Sequence, residues 1–319
     1  MISKINTIPM APRRISSMGL FKETPIATTT IQVDSDNAIL TLIADTPRGA
    51  PAPQLKKRKG ASRDFRVSRF PVQFQIKPDD MQNIRALGTA DQLRTLEMMR
   101  DQRFSDASNS LDATLEYQRL GAVKGIILDS DGATVKYNLF TEFGVAQPTK
   151  DFTLGTAAAE MLPFCYAVKR GVDIALGDGV LYDHIHVLCG KTWFERFTTH
   201  PAVSQYYKNW QAAEIMRTDN RGGFKFGGMV FEEYPVNNVN GIALIADSEA
   251  YAFPVGVQDL FETVFAPANH MDYVNQLGLP RYVFAELMDL GAGIDFVAET
   301  NPLSICKKPL ALWKLTTSN

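Results

Sequence analysis

The chain has 319 residues, of which 45% are apolar and 21% are charged, and its formal net charge at neutral pH is −2. This length and apolar content predict a globular protein with one large core or two smaller ones. The near-neutral charge argues against a dedicated nucleic-acid-binding protein, which would carry a basic excess.

The first part of the chain lacks the pattern of a folded core. Residues 1–45 are rich in Thr, Ser and Pro with only short apolar stretches, which predicts an arm. Residues 46–69 join a Pro/Gly-rich stretch to a basic one, and the alternating sequence FPVQFQI follows. We expect a long two-stranded loop that projects from a folded body, because segments longer than about 12 to 15 residues without their own core are generally functional or disordered.

A basic run lies within this loop, at Lys56, Lys57, Arg58 and Lys59. Such a run is typical of a solvated loop tip, and contact with an acidic neighbour is the second interpretation. A monomeric nucleic-acid-binding module built on this run is a further alternative. It is disfavoured because no aromatic platform accompanies the lysines.

An apolar series at spacings near 3.6 predicts a helix over residues 78–120. Two acidic residues after Pro78 suit its first turn, and its end is predicted at Gly121. Gly88 and the Ser/Asn-rich residues 105–110 are candidate interruptions. The residues assigned to its buried stripe are Leu93, Leu96 and Leu115.

An Asp-Ser-Asp-Gly sequence at residues 129–132 follows this helix. It lies between two predicted strands, over residues 123–128 and 135–139, where Asp and Gly supply the backbone conformation of a hairpin turn. A metal or phosphoryl-transfer motif is the alternative interpretation. A phosphatase-like motif would need a helix after the first strand and a third catalytic residue nearby, and neither follows.

Residues 152–289 alternate helical patterns with short strands, which predicts a mixed α/β region. Helices are expected around residues 157–176 and 203–216, and the strands include HIHVLC and GIALIA. The tail SICKKPLALWKL predicts a closing strand that returns to the first part of the chain.

The three cysteines, Cys165, Cys189 and Cys306, are odd in number, widely separated and flanked by apolar residues. We expect buried reduced thiols in an intracellular protein, with a catalytic cysteine as the alternative. No apolar run approaches the roughly 18 residues of a membrane span, and the first residues lack the apolar core of a signal peptide. Nothing in the sequence directs the chain out of the cytoplasm.

An enzyme would need a recognisable catalytic centre. His184 and His186 lie two apart on a predicted strand, so both face one side and could bind a metal together with a carboxylate, as in a metal-dependent hydrolase. Glu232 and Glu233 are adjacent, so on a strand they face opposite sides, which is poor geometry for paired-carboxylate catalysis. No GxSxG, Walker lysine loop or Rossmann fingerprint occurs, and we expect no enzymatic activity, cofactor or metal site.

Four segments together resemble the lambda-like major capsid protein E family of tailed bacteriophages and prophages. They are residues 115–140, RGGFKFGGMVFEEYPV at 221–236, residues 252–282 and ETNPLSICKKPLAL at 299–312. The segments occur in the expected order and span most of the chain after about residue 81. The first 70 residues carry little of the resemblance.

The resemblance implies an α+β fold of the Hong Kong phage capsid type. The implied segments are an N-terminal arm (1–45), an extended loop (46–77), a peripheral domain with a spine helix (78–151), an axial domain (152–289) and C-terminal strands that return to the peripheral domain (290–319). Residues 129–132 would then form the turn of a peripheral-domain hairpin.

The resemblance also implies a major capsid protein that self-assembles as pentamers and hexamers into an icosahedral shell. The shell would enclose double-stranded DNA without sequence-specific binding, in the virion and, during assembly, in the host cytoplasm. Scaffold, portal and decoration proteins are further partners that it allows, with no membrane and no cofactor. The implied intersubunit contacts in the extended loop are Lys56, Lys57, Arg58, Lys59, Arg63 and Arg66.

Overall fold

A computed structural model of the chain describes residues 5–6, 13–35, 61–80, 95–177, 179–209, 223–235, 238–239 and 241–318. Several predictions fall at least partly outside these ranges. They are parts of the arm and of the extended loop, the basic run at Lys56, Lys57, Arg58 and Lys59, residues 81–94 of the predicted helix with Gly88 and Leu93, and the end of the helix over 203–216.

The described elements mix helices and strands, which confirms the α+β class. The α-helices are α1 (Arg14–Ser17), α2 (Leu96–Lys124), α3 (Leu139–Glu142), α4 (Met161–Leu176), α5 (Lys191–Thr199) and α6 (Pro201–Asn209). The strands are β1 (Phe21–Pro25), β2 (Thr30–Ser35), β3 (Ala61–Arg66), β4 (Phe70–Ile76), β5 (Ile126–Leu128), β6 (Val135–Asn138), β7 (Thr149–Asp151), β8 (His184–Cys189), β9 (Phe224–Phe226), β10 (Met229–Glu233), β11 (Asn238–Val239), β12 (Ile242–Ala243), β13 (Glu249–Val255), β14 (Phe261–Phe265), β15 (Tyr282–Leu287), β16 (Ile294–Thr300), β17 (Pro302–Cys306) and β18 (Trp313–Thr316). Within the described ranges, no helix is long and apolar enough to cross a membrane.

The chain divides into two compact units, each assembled from stretches that are distant in the sequence. The first unit comprises Met1–Ile31, Asp64–Arg119 and Glu262–Ser304. The second comprises Gln32–Arg63, Leu120–Phe261 and Ile305–Asn319. The division into five consecutive segments stays a prediction.

The core of the first unit lies between helix α2 and an antiparallel sheet of strand order β15–β16–β4. The register places Phe74 opposite Phe296 and Val72 opposite Ala298, so alternate apolar residues share one face. Phe74 stacks on Phe296 at 5.1 Å, and Phe104 of the helix meets Phe296 edge-on at 5.6 Å. Apolar and polar residues alternate in the sequence FPVQFQI because one face of β4 packs in this core.

Helix α2 differs from its prediction at both ends. It is unbroken through residues 105–110, and before it Pro78–Asp80 form a separate 3-10 turn. The predicted end at Gly121 is wrong, because the helix continues to Lys124. A Cβ atom at Gly121 would lie 3.0 Å from the Cα atom of Ile127, so this glycine permits the close approach of β5.

The buried stripe of α2 is partly as predicted. Leu115 is only 4% exposed, which confirms its assignment, whereas Leu96 is 40% exposed, so its assignment is wrong. Leu96 lies one turn before Met99, which is the first helix residue in the core cluster. The helix therefore begins beyond the edge of the core that the described residues form.

The second unit contains a mixed sheet of strand order β7–β18–β13–β8–β10–β9. Strand β8 pairs in parallel with β10 and antiparallel with β13. The closing strand expected in the tail is β18, which pairs with β13 and β7. Trp193 of α5 stacks on Phe197 at 5.1 Å and on Phe231 of β10 at 5.9 Å, and these rings are buried in the core of the unit.

Candidate functional site

The predicted loop begins in a two-stranded ribbon formed by β2 and β3. Strand β2 starts at Thr30, inside the predicted arm, so the ribbon reaches further back than residue 46. Arg63 places its guanidinium carbon 4.9 Å from the centre of the Phe143 ring, and Arg66 is exposed. Two of the six residues predicted to contact a neighbouring subunit, Arg63 and Arg66, thus lie on β3, and being three residues apart they face opposite sides of the strand.

The hairpin turn at residues 129–132 is confirmed. Strands β5 and β6 pair antiparallel on either side of it, and Gly132 has a φ of +72°. The Asp131 carboxylate accepts hydrogen bonds from the backbone N–H groups of Ala133 and Thr134, both at 2.9 Å, and from the Thr134 hydroxyl at 2.5 Å. These bonds, the hydroxyl bond first, lower the pKa of Asp131 to about 2, and the carboxylate serves the architecture of the turn.

The histidines of the hydrolase alternative lie on β8. His186 is buried, and its Nε2 atom lies 2.9 Å from a carboxylate oxygen of Glu232, itself buried on the neighbouring strand β10. Burial and then the nearby His186 lower the pKa of His184. Among the residues with described positions, no group of three His, Cys, Asp or Glu side chains could hold a metal ion. The His186–Glu232 pair links two strands of a sheet, and this arrangement does not support a hydrolase.

The cysteines are buried thiols, as predicted. Burial raises the pKa values of Cys165 and Cys306 to about 12, and that of Cys189 lies well above its usual value. A thiol at such a pKa stays protonated at neutral pH and is a poor nucleophile.

Sequence reasoning missed a polar row on α2 that holds residues 15–23, which lie within the predicted arm. The Glu116 carboxylate accepts the N–H of Ile15 at 2.6 Å, the N–H of Ser16 at 3.0 Å and the Ser16 hydroxyl at 2.7 Å. Arg119 donates to the Ser16 hydroxyl at 3.0 Å and to Glu23 of β1 at 2.5 Å. Residues 15–23 are therefore fixed to this helix by charged groups that are themselves buried, Glu116 at 5% and Arg119 at 3% exposure.

A second polar contact lies one turn earlier on the helix. Arg281 donates to Asp112 at 2.6 Å and to the backbone carbonyl of Ile5 at 3.1 Å, and Asn6 donates to the carbonyl of Arg281 at 2.9 Å. Asp112, Glu116 and Arg119 share the spacing of the buried stripe. Polar residues at that spacing were the one signal in the sequence for this site.

The family assignment rests on a match that covers the chain almost completely. The family described as Phage major capsid protein E matches residues 1–317. The chain belongs to this family. Membership makes it a structural protein of the phage capsid and confirms the resemblance that the sequence carries.

Two curated relatives share this assignment. The major capsid protein of Salmonella phage Felix O1 (isolate Felix O1-VT1) is 27% identical, and the alignment covers 97% of this chain and 93% of that protein. The major capsid protein of Pseudomonas phage KPP10 is 28% identical over 84% of this chain and 82% of that protein.

Solved capsid structures share the fold at low sequence identity. The capsid of Myoviridae phage XM1 has a TM-score of 0.56 at 10% identity, with 98% of this chain and 94% of that chain covered. The mature capsid of bacteriophage PhiM1 has a TM-score of 0.53 at 12% identity, with 98% and 89% covered. These likenesses confirm the predicted capsid-type α+β fold.

Proposed function

We propose that copies of this chain assemble as pentamers and hexamers into an icosahedral shell that encloses the double-stranded DNA of a tailed phage. Its role is structural, without enzymatic activity, and assembly takes place in the host cytoplasm. Family membership supports this proposal. A closed symmetric shell repeats each contact many times, so each interface needs only moderate affinity.

The observation that carries the proposal is the position of the β2–β3 ribbon in the sequence. Strand β2 ends at Ser35 and β3 begins at Ala61, and the Val67 N–H donates to the Thr29 carbonyl at 2.9 Å at the other end of the ribbon. The basic run lies in sequence between the paired strands. A segment that connects the ends of two paired strands is suited to contact a neighbouring subunit.

The proposed intersubunit contacts on this segment are basic. They are Lys56, Lys57, Arg58, Lys59, Arg63 and Arg66. The net charge of −2 supports enclosure of DNA without tight or sequence-specific binding, because a strongly basic wall would retain the genome during packing. Scaffold, portal and decoration proteins are proposed as further partners.

Charge reversal of the run tests the contact. Replacing Lys56, Lys57, Arg58 and Lys59 together by Glu is expected to leave a folded subunit by circular dichroism and to reduce closed shells in electron microscopy. The matched control exchanges each Lys for Arg and Arg58 for Lys, which keeps the charge and is expected to keep the shells.

Two results count against the proposal. Normal shells from the Glu variant would reject the intersubunit contact. A wild-type chain that remains monomeric under every assembly condition would reject the shell itself.

A further inference from the structure

Strand β15 lies at one edge of the sheet in the first unit, and the described part of the chain places no strand on its outer side. Just beyond the strand, the Met288 N–H donates to the Gly293 carbonyl at 3.0 Å. Backbone groups alternate in direction along an antiparallel pair, so the N–H and C=O groups of Leu287 and Ala285 point away from β16. Ala285, Glu286 and Leu287 are all exposed. This end of β15 is therefore able to accept a further strand.

The core-facing side of this edge ends in an exposed apolar row. Leu287 lies opposite Ile294, and Ile294 lies opposite Ile76 of β4. Ile76 is 2% exposed in the core cluster and Ile294 packs against that cluster, whereas Leu287 is 75% exposed. Leu290, in the turn that follows, is fully exposed with a φ of +61°, a conformation that would suit glycine better. An apolar residue on an added strand would continue the row and cover Leu287.

The opposite side of the same edge is acidic. Glu286 lies directly opposite Asp295, and like charges in directly opposed positions destabilise a strand pair. One carboxylate oxygen of Asp295 is buried without a hydrogen-bond partner among the described residues. No Lys or Arg occurs between Arg281 and Lys307, and neither opposed carboxylate forms an ion pair with a described residue. A basic side chain placed opposite Glu286 would reduce the repulsion between the two acids.

We propose that the exposed end of β15 binds an extended segment of a second protein, which is added antiparallel as a further strand and alternates basic and apolar residues. A basic residue of the segment lies opposite Glu286, and the apolar residues on either side lie opposite Ala285 and Leu287. Strand addition takes its affinity from main-chain hydrogen bonds and its specificity from alternate side chains. The acidic side disfavours nucleic acid, and it disfavours two copies pairing through the same edge, because both would bring like charges together.

A fluorescent Lys-Val-Lys-Val-Lys peptide tests the site by anisotropy with unassembled full-length subunits, so the result does not depend on shell assembly. We expect saturable binding to wild type. Glu286→Lys should weaken it about tenfold, because an attractive cross-strand pair becomes a repulsive one. Glu142→Lys is the matched control, since it makes the same charge change at an exposed position on α3 and should leave binding unchanged. Equal losses in both variants, or no binding to wild type, would overturn the proposal.

Backbone methylation of the peptide distinguishes strand addition from attraction between charges alone. In the proposed register the peptide valines lie opposite Ala285 and Leu287, so their N–H groups point toward β15. N-methylation of both valines should weaken binding about tenfold or more, because two main-chain hydrogen bonds are lost. N-methylation of two lysines, whose N–H groups point away from β15, should leave binding nearly unchanged. Equal effects of the two modifications would show that the peptide does not add as a strand.

Hydrogen exchange on the wild-type chain needs no substitution. At a peptide concentration of about ten times Kd, exchange at the Ala285 and Leu287 amides should slow about tenfold. The Glu286 amide points toward β16 and should change little. If the Ala285 and Leu287 amides are already protected without peptide, in subunits that sediment as dimers, the edge belongs to a second copy and the proposal fails.

Discussion

The substitution Arg281→Leu tests how much the buried ion pair between Arg281 and Asp112 stabilises the first unit. Arg281 is 6% exposed and Asp112 3%, and their side chains are joined at 2.6 Å. The guanidinium also donates to the carbonyl of Ile5. Leucine keeps an aliphatic side chain but removes the charge and the hydrogen bonds to Asp112 and Ile5.

The expected loss of folding stability follows from the Asp112 charge, which stays buried after the substitution. Removing one partner of a buried ion pair costs about 3–5 kcal/mol, because the other charge stays buried and loses the compensation of that partner. Total stability is about 5–15 kcal/mol, so the variant loses a large part of it. The control is Arg100→Leu, since the Arg100–Asp101 pair is long, at 3.4 Å, and partly exposed, and such pairs contribute about 1 kcal/mol or less.

Urea unfolding of unassembled subunits measures the difference. All three tryptophans fall within the second unit, so circular dichroism at 222 nm, to which α2 contributes strongly, is the better probe. With a slope of about 2–3 kcal/mol per molar urea, the midpoint should fall by about 1–2.5 M for Arg281→Leu.

A double variant tests the reason for this loss. Adding Asp112→Asn to Arg281→Leu removes the buried charge that has lost its arginine, and part of the stability should return. The reasoning is refuted if Arg281→Leu loses no more than Arg100→Leu, or if the double variant is no more stable than the single one.

Leu115→Asp should abolish soluble folded subunits, because an unpaired buried charge costs several kcal/mol, whereas Leu96→Asp on the same helix should remain soluble with wild-type circular dichroism. Asp129→Asn with Asp131→Asn should leave the hairpin and the shells intact in electron microscopy, because the amide oxygen introduced at position 131 can still accept the two backbone N–H bonds of the turn, although the bond from the Thr134 hydroxyl is lost. The pKa of Asp131 is lowered to about 2 from an ordinary 3.8, so its contribution is present above pH 3.8 and is lost as the pH falls through about 2. An NMR titration of the Thr134 amide should show this change in wild type and not in the double variant.

Local patterns determined much of the fold before any tertiary contact was known. The turn at residues 129–132, strand β8 and the buried cysteines follow from properties of a few adjacent residues, and these predictions are confirmed. The family resemblance was likewise carried by the sequence alone. The positive charge of Arg63 and Arg66 made them candidates for intersubunit contacts. It did not predict which residues they contact within the chain, such as Phe143 beside Arg63.

Only the tertiary structure decided which groups become buried and with what. Glu116 lies 101 residues from Ile15 in sequence, so nothing near it indicates that it holds the arm. Gly121 has the signature of a helix end, yet the nearby strand makes it a position of close approach. Leu96 fits the apolar period, but the core does not extend to its turn. Spacing along a helix specifies a face, whereas burial also depends on the distant surface that meets that face.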